Sequence, residues 1–186
     1  MLSSVNLLTS TIASDYRQTL STLERLTAHG EITWDLLYAI LIPRSLFVAR
    51  CSITGLPRLL KLTHWSRTTV DGKPMYRLVC ESVDLVDRPM SHSVGIGRIA
   101  TIVHLRPFRG TVKIDSLDAY PIKFHQDEAK LRKTIAERGK KWVGLIGVHH
   151  KQFDGIAALK CGDNLLRHNV SFVCRRQCFF LILFFF

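Results

Sequence analysis

Asp71-Gly72 stands between two strand-length runs, Pro57 to His64 and Met75 to Val86, and this arrangement constrains the chain more than any other feature. A dipeptide of this type accepts the backbone of a tight turn, so the flanking runs are expected to pair antiparallel. Leu46 to Cys51 precedes them. Ile99 to Leu105 and Thr111 to Ile114 follow, broken by Pro107 and Arg109-Gly110, and Tyr120 to His125 adds a short extended piece. At least five strands are expected.

The flanks read differently. Ser14 is a plausible N-cap for a helix carrying Tyr16, Leu20, Leu23 and Thr27 on one side, with Gly30 placed to end it. Thr33 can cap a shorter helix, Trp34 to Leu41, stopped by Pro43. A third helix is expected from Asp127, with Leu131 and Ile135 on one face and Gly139 closing it. Trp142 to Val148 has strand length, and Phe153 to Leu159 is a candidate to pair with it. The predicted class is α+β: short N-terminal helices, then a mainly antiparallel twisted sheet or open β-barrel, with one helix near the C-terminal side. A length of 186 residues suits one domain with loose ends. The expected division is a flexible N-terminus over 1–12, a domain over 13–158, and a Cys- and Phe-rich tail over 159–186.

Lys and Arg number 26 against 15 Asp and Glu, a net charge of +11 that favours a negatively charged partner. Removing 159–186, with four basic residues and one acidic, leaves +8, so the charge belongs to the domain. The densest patch is Lys130, Arg132, Lys133, Arg138, Lys140 and Lys141, interrupted by Glu137 at helical spacing. It reads as a solvated helix face or as an anion-binding surface. Five cysteines with no preceding secretory signal argue against a disulfide framework and for a reducing, intracellular setting, cytoplasmic or nuclear.

Motifs that would carry chemistry fail on context or are missing. Gly95-Ile96-Gly97-Arg98-Ile99-Ala100 has the G-x-G-x-x-A form, with Asp115 at about the distance of a ribose-binding acid. The motif should open a helix, yet Thr101-Ile102-Val103 follows, so two glycines in a turn before a strand is the better reading. No G-x-x-x-x-G-K-[ST] loop, G-x-S-x-G elbow or H-E-x-x-H helix occurs. His149-His150 with His125, and the set Cys161, His168, Cys174 and Cys178, lack the geometry or spacing of a metal centre. No catalytic residue, cofactor-binding residue or metal ligand is therefore assigned. Cys178 to Phe186 would cover about 13 Å as a helix, too short to span a membrane, though able to dip into its surface.

Several pieces, in their order, resemble the uncharacterised domain that precedes the ATPase core in fungal AAA-type ATPases. They are Gly30-Glu31-Ile32-Thr33-Trp34-Asp35-Leu36-Leu37 with Pro43; Thr54-Gly55-Leu56-Pro57-Arg58; Phe108-Arg109-Gly110 with Ile114 and Leu117; Tyr120-Pro121 with Lys123 and His125; Arg138-Gly139-Lys140-Lys141; and Phe153-x-Gly155. The chain departs from the family over Leu85 to Arg98. After Ala158 it runs into the tail, where the family continues towards an ATPase core. The resemblance implies a non-catalytic accessory module that recruits a protein partner or substrate, or regulates the AAA core of related full-length proteins. ATP and Mg would enter only with a core in a longer product. A monomer is expected, since ring formation belongs to that core. Arg58, Arg109 and Lys123 are the cations least demanded by the fold and the first candidates for surface binding. The alternative is a small basic nucleic-acid-binding β-domain, motivated by the charge and by Trp65, Tyr76 and Phe108 near basic residues.

Overall fold

The computed structural model describes residues 2–51, 55–88, 93–144, 151–161 and 164–174. Its centre is the hairpin anticipated at Asp71-Gly72. Both residues take positive φ, 49° and 74°, as a two-residue loop of the tightest type requires. They join β3 (Pro57–Val70) to β4 (Lys73–Arg88), with Val70 opposite Lys73. β2 (Leu46–Arg50), β5 (Ser93–Leu105) and β7 (Ala119–Pro121) complete a five-stranded sheet in the order β5-β4-β3-β2-β7, antiparallel throughout. The fold is α+β, and the sheet stays open rather than closing into a barrel.

β3 outruns the expected end at His64 because its register shifts between Leu62 and His64. The extra residue of such a bulge moves the inward face from even to odd positions. Trp65 then stands opposite Leu78 and Arg67 opposite Tyr76, a pairing hidden in a sequence that reads as polar from Ser66 to Thr69.

One face of the sheet supplies Phe47, Leu60, Leu62, Tyr76, Leu78, Cys80 and Leu105 to the core, all at most 2% exposed. A second layer shares that core. It contains α2 (Arg17–Ala28), the ribbon of β1 (Glu31–Thr33) with β6 (Thr111–Lys113), a 3-10 turn at Leu37–Ile40, and α3 (Glu128–Val143). Trp34 joins the layers by packing edge-on to Tyr76 and Phe108, with ring centroids 4.8 and 5.6 Å away. The Trp142 indole N–H donates to the Asp84 carboxylate at 3.1 Å and fastens the end of α3 to β4.

Several boundaries differ from expectation. The helix expected to begin at the Ser14 cap is instead preceded by α1 (Leu2–Asp15), and the break before α2 falls at Tyr16. The hydroxyls of Thr9, Ser10 and Thr11 donate to the carbonyls of Val5 and Leu7, so they are satisfied within the helix instead of interrupting it. Gly30 ends α2 with φ 66°, as anticipated. The helix expected over Trp34 to Leu41 is replaced by a turn over 34–36 and the 3-10 turn Leu37–Ile40, directly after β1. Thr33 is held opposite Thr111 in the ribbon and cannot serve as a cap, and the tighter turn buries Leu37 and Ile40.

Asp127 caps α3 as predicted, accepting from the Lys130 N–H at 3.0 Å. Gly139 does not close that helix, which runs on to Gly144 with Trp142 anchored on Asp84. The strand expected over Trp142 to Val148 is thus helical at its start, and 145–150 lies outside the described residues. Phe153 to Leu159 falls within β8 (Lys151–Cys161), whose partner is β9 (Asn164–Cys174) rather than the run before it. β9 lies in the segment read as tail, where Arg167-His168-Asn169 interrupts its apolar residues and conceals the strand.

Candidate interaction surface

The β7 edge turns sharply. Val48 of β2 faces Tyr120, and Ala49 faces both Ala119 and, on its other side, Arg58 of β3. The segment Tyr120 to His125, expected to be extended, is two strand residues followed by a 3-10 turn over Ile122–Phe124. The turn buries Ile122 and brings His125 back beside Tyr120, with the phenolic oxygen 2.8 Å from Nδ1 and the rings stacked at 6.2 Å. Burial raises the Tyr120 pKa above its usual 10.0, the negative charge of Asp115 adds to the rise, and Arg50 opposes it. Tyr120 therefore keeps its proton, and its hydroxyl is hydrogen-bonded to Nδ1 of His125.

This locked corner presents Lys123 outward, with its ammonium 4.9 Å from the Phe124 ring centroid. Arg50, exposed at the end of β2, and Arg58, partly exposed at the start of β3, flank the connection between those two strands. Arg58 thus stands on β3, the middle strand, opposite Ala49, whereas Lys123 follows the edge strand β7. Arg109 lies elsewhere. It is exposed in the turn that follows β5, the opposite edge strand, between Phe108 and Gly110 with φ 70°. Near it is a shallow depression of about 170 Å³ lined by Leu105, Arg106, Phe108, Val112, Leu117 and Asp118 among others. That volume is below the roughly 300–1,000 Å³ of small-molecule sites and fits a single side chain.

The G-x-G-x-x-A segment lies neither at a helix start nor in a turn; it is part of β5. Gly97 faces Asp84, Gly95 faces Val86, and a methyl group on Gly97 would collide with the Val86 side chain. Close packing within the ladder accounts for Gly97. Asp115 is exposed on a separate 3-10 turn, Ile114–Ser116. His149, His150 and Cys178 lie outside the described residues. In the β8–β9 hairpin, Cys161 faces Asn164 next to the turn, whereas Cys174 faces Lys151 at the far end. Ten residues of strand separate those positions by about 33 Å, so the backbone holds Cys161 and Cys174 too far apart to share one ion.

Tyr76, weighed as a stacking platform, is fully buried, and Arg67 donates to its hydroxyl from Nε at 2.9 Å and from a terminal nitrogen at 2.6 Å. Trp65 and Phe108 are half-buried in the same aromatic cluster. Lys130, Lys133, Lys140 and Lys141 are exposed on α3, on the side turned away from Leu131, Ile135 and Trp142. Among the described residues, the one ion pair on this helix joins Arg132 to Glu128 at 2.7 Å. No described helix is long and apolar enough to cross a membrane.

The geometry defines an α+β domain built on an open antiparallel sheet, with cationic side chains on several of its surfaces. The chain belongs to the family described as a domain of unknown function, DUF7025, which matches residues 22–126. The match begins inside α2, ends just before the Asp127 cap, and contains every buried core residue among those described except Leu131. No curated protein and no solved structure matches the chain.

Proposed function

We propose that this protein is a non-catalytic accessory module like the domain that precedes the ATPase core in fungal AAA-type ATPases, and that it binds a protein partner or such a core. The observation that carries this reading is the β7 corner. Tyr120-Pro121, Lys123 and His125, part of the similarity to that family, form a fixed turn that holds a cation in solvent. A rigid corner presents charge at little conformational cost, which suits recognition of a carboxylate-bearing protein surface. An intracellular protein, cytoplasmic or nuclear, fits this role. Titrating the full chain into the purified ATPase core of a longer protein that carries the same domain tests it. Saturable binding weakened by Arg58→Glu with Lys123→Glu is expected; no binding, or nucleotide turnover by the chain alone, contradicts the proposal.

A second reading, a basic nucleic-acid-binding domain, rests on the four exposed lysines of α3. Phosphate contacts would give an affinity that falls steeply with salt. A gel-shift salt series distinguishes the two, because absence of binding at low salt removes this alternative.

A further inference from the structure

Strand β5 ends the five-stranded sheet, and among the described residues its backbone ladder runs to β4 alone. Its 13 residues, roughly 43 Å of extended chain, leave an open row of N–H and C=O groups on the other side. Proteins commonly blunt such edges with proline, a bulge or a short strand. β5 has no proline, and its register with β4 runs unshifted from Ser93 opposite Arg88 to Leu105 opposite Tyr76. On the outer face, Ile96 and Ile102 are each 48% exposed, and Arg98 between them leans back to Glu81 at 3.8 Å.

We propose that β5 pairs antiparallel with β5 of a second copy of this chain, about a two-fold axis through Ile99. In this register Ile96 of each copy faces Ile102 of the other. Arg98 faces Ala100, Gly97 faces Thr101, and Gly95 faces Val103. The two exposed isoleucines meet on the outer face, where Val94 also faces His104, and no two like charges stand directly opposite, an arrangement that favours cross-strand pairing. The neighbouring symmetric registers lose this match. Centring on Arg98 sets two guanidinium groups face to face, and centring on Ala100 sets Ile96 against His104 and Arg98 against Ile102. A one-residue shift would join the core face of one copy to the outer face of the other. The product is a continuous ten-stranded sheet formed independently of any ATPase ring, in place of the monomer expected from the sequence.

Sedimentation velocity of the full chain over a concentration series, combined with oxidative cross-linking, tests the pairing. Residues on the axis have Cα atoms about 4.5–5.5 Å apart, within the reach of a disulfide at roughly 4.4–6.8 Å. Ile99→Cys is therefore expected to give a covalent dimer. Val103→Cys, about 26 Å from its counterpart, stays at the background set by the native cysteines. Ile102→Lys, on an exposed face, is expected to weaken the dimer at least tenfold with an unchanged circular dichroism spectrum, and this result does not depend on folding of the Ile99 variant. A monomer at every concentration overturns the proposal. So does equal cross-linking at the two positions, or a dimer indifferent to Ile102→Lys.

Discussion

The Tyr120 hydroxyl and Nδ1 of His125 lie 2.8 Å apart, and this bond closes the turn that carries Lys123. Removing the hydroxyl in Tyr120→Phe leaves Nδ1 without this partner. A stability loss of about 1 kcal/mol is expected, the usual net worth of one hydrogen bond. Urea denaturation measures it, and the same substitution should weaken partner binding by loosening the corner.

Cys80 is buried on β4, and burial pushes its thiol from 9.0 up to about 11. The folded protein therefore holds this proton more tightly than the unfolded chain. The corresponding stability is complete below pH 9 and is lost as pH rises from there through about 11. The full effect is on the order of 3 kcal/mol. Comparing Cys80→Ser with the native chain in denaturation series across that window isolates it. A thiol reagent at pH 8 should modify Cys80 only as fast as the protein opens.

Gly97→Ala brings a methyl group against Val86. Crowding of this kind costs about 1–3 kcal/mol. Val86→Ala in the same chain should restore most of the loss, and the double-mutant cycle should give a coupling of about 1 kcal/mol or more. Additive effects would show that Gly97 serves something other than packing.

Trp142→Phe removes the indole N–H that donates to Asp84. A hydrogen bond to a charged acceptor contributes about 1.5–3 kcal/mol. The last turn of α3 is expected to fray, with faster amide exchange near Lys140 and Lys141 and little change in the sheet.

Where local rules decide the structure, the sequence was legible. Asp71-Gly72 dictated its hairpin, Gly30 ended α2 with positive φ, and Asp127 capped α3. Tertiary contacts decided the rest. A bulge after Leu62 carried β3 through residues that look like loop, the partnership with Thr111 took Thr33 out of a helix cap, and Asp84 held Trp142 in a helix past Gly139. At the candidate surface, Arg58, Arg109 and Lys123 could be singled out as cations, but not placed on the middle strand, after β5 at one edge and after β7 at the other. The Tyr120–His125 pair was missed as a unit. A tyrosine and a histidine five residues apart acquire a relationship only when a 3-10 turn doubles the chain back.

The accessory role is tested most directly by the steady-state ATPase rate of a AAA core, taken from a longer protein carrying this domain and titrated with the full chain. A saturable change in rate is predicted, absent with Arg58→Glu and Lys123→Glu together, with no turnover by the chain alone. A rate unaffected at every concentration, or hydrolysis by the chain without the core, would contradict the account.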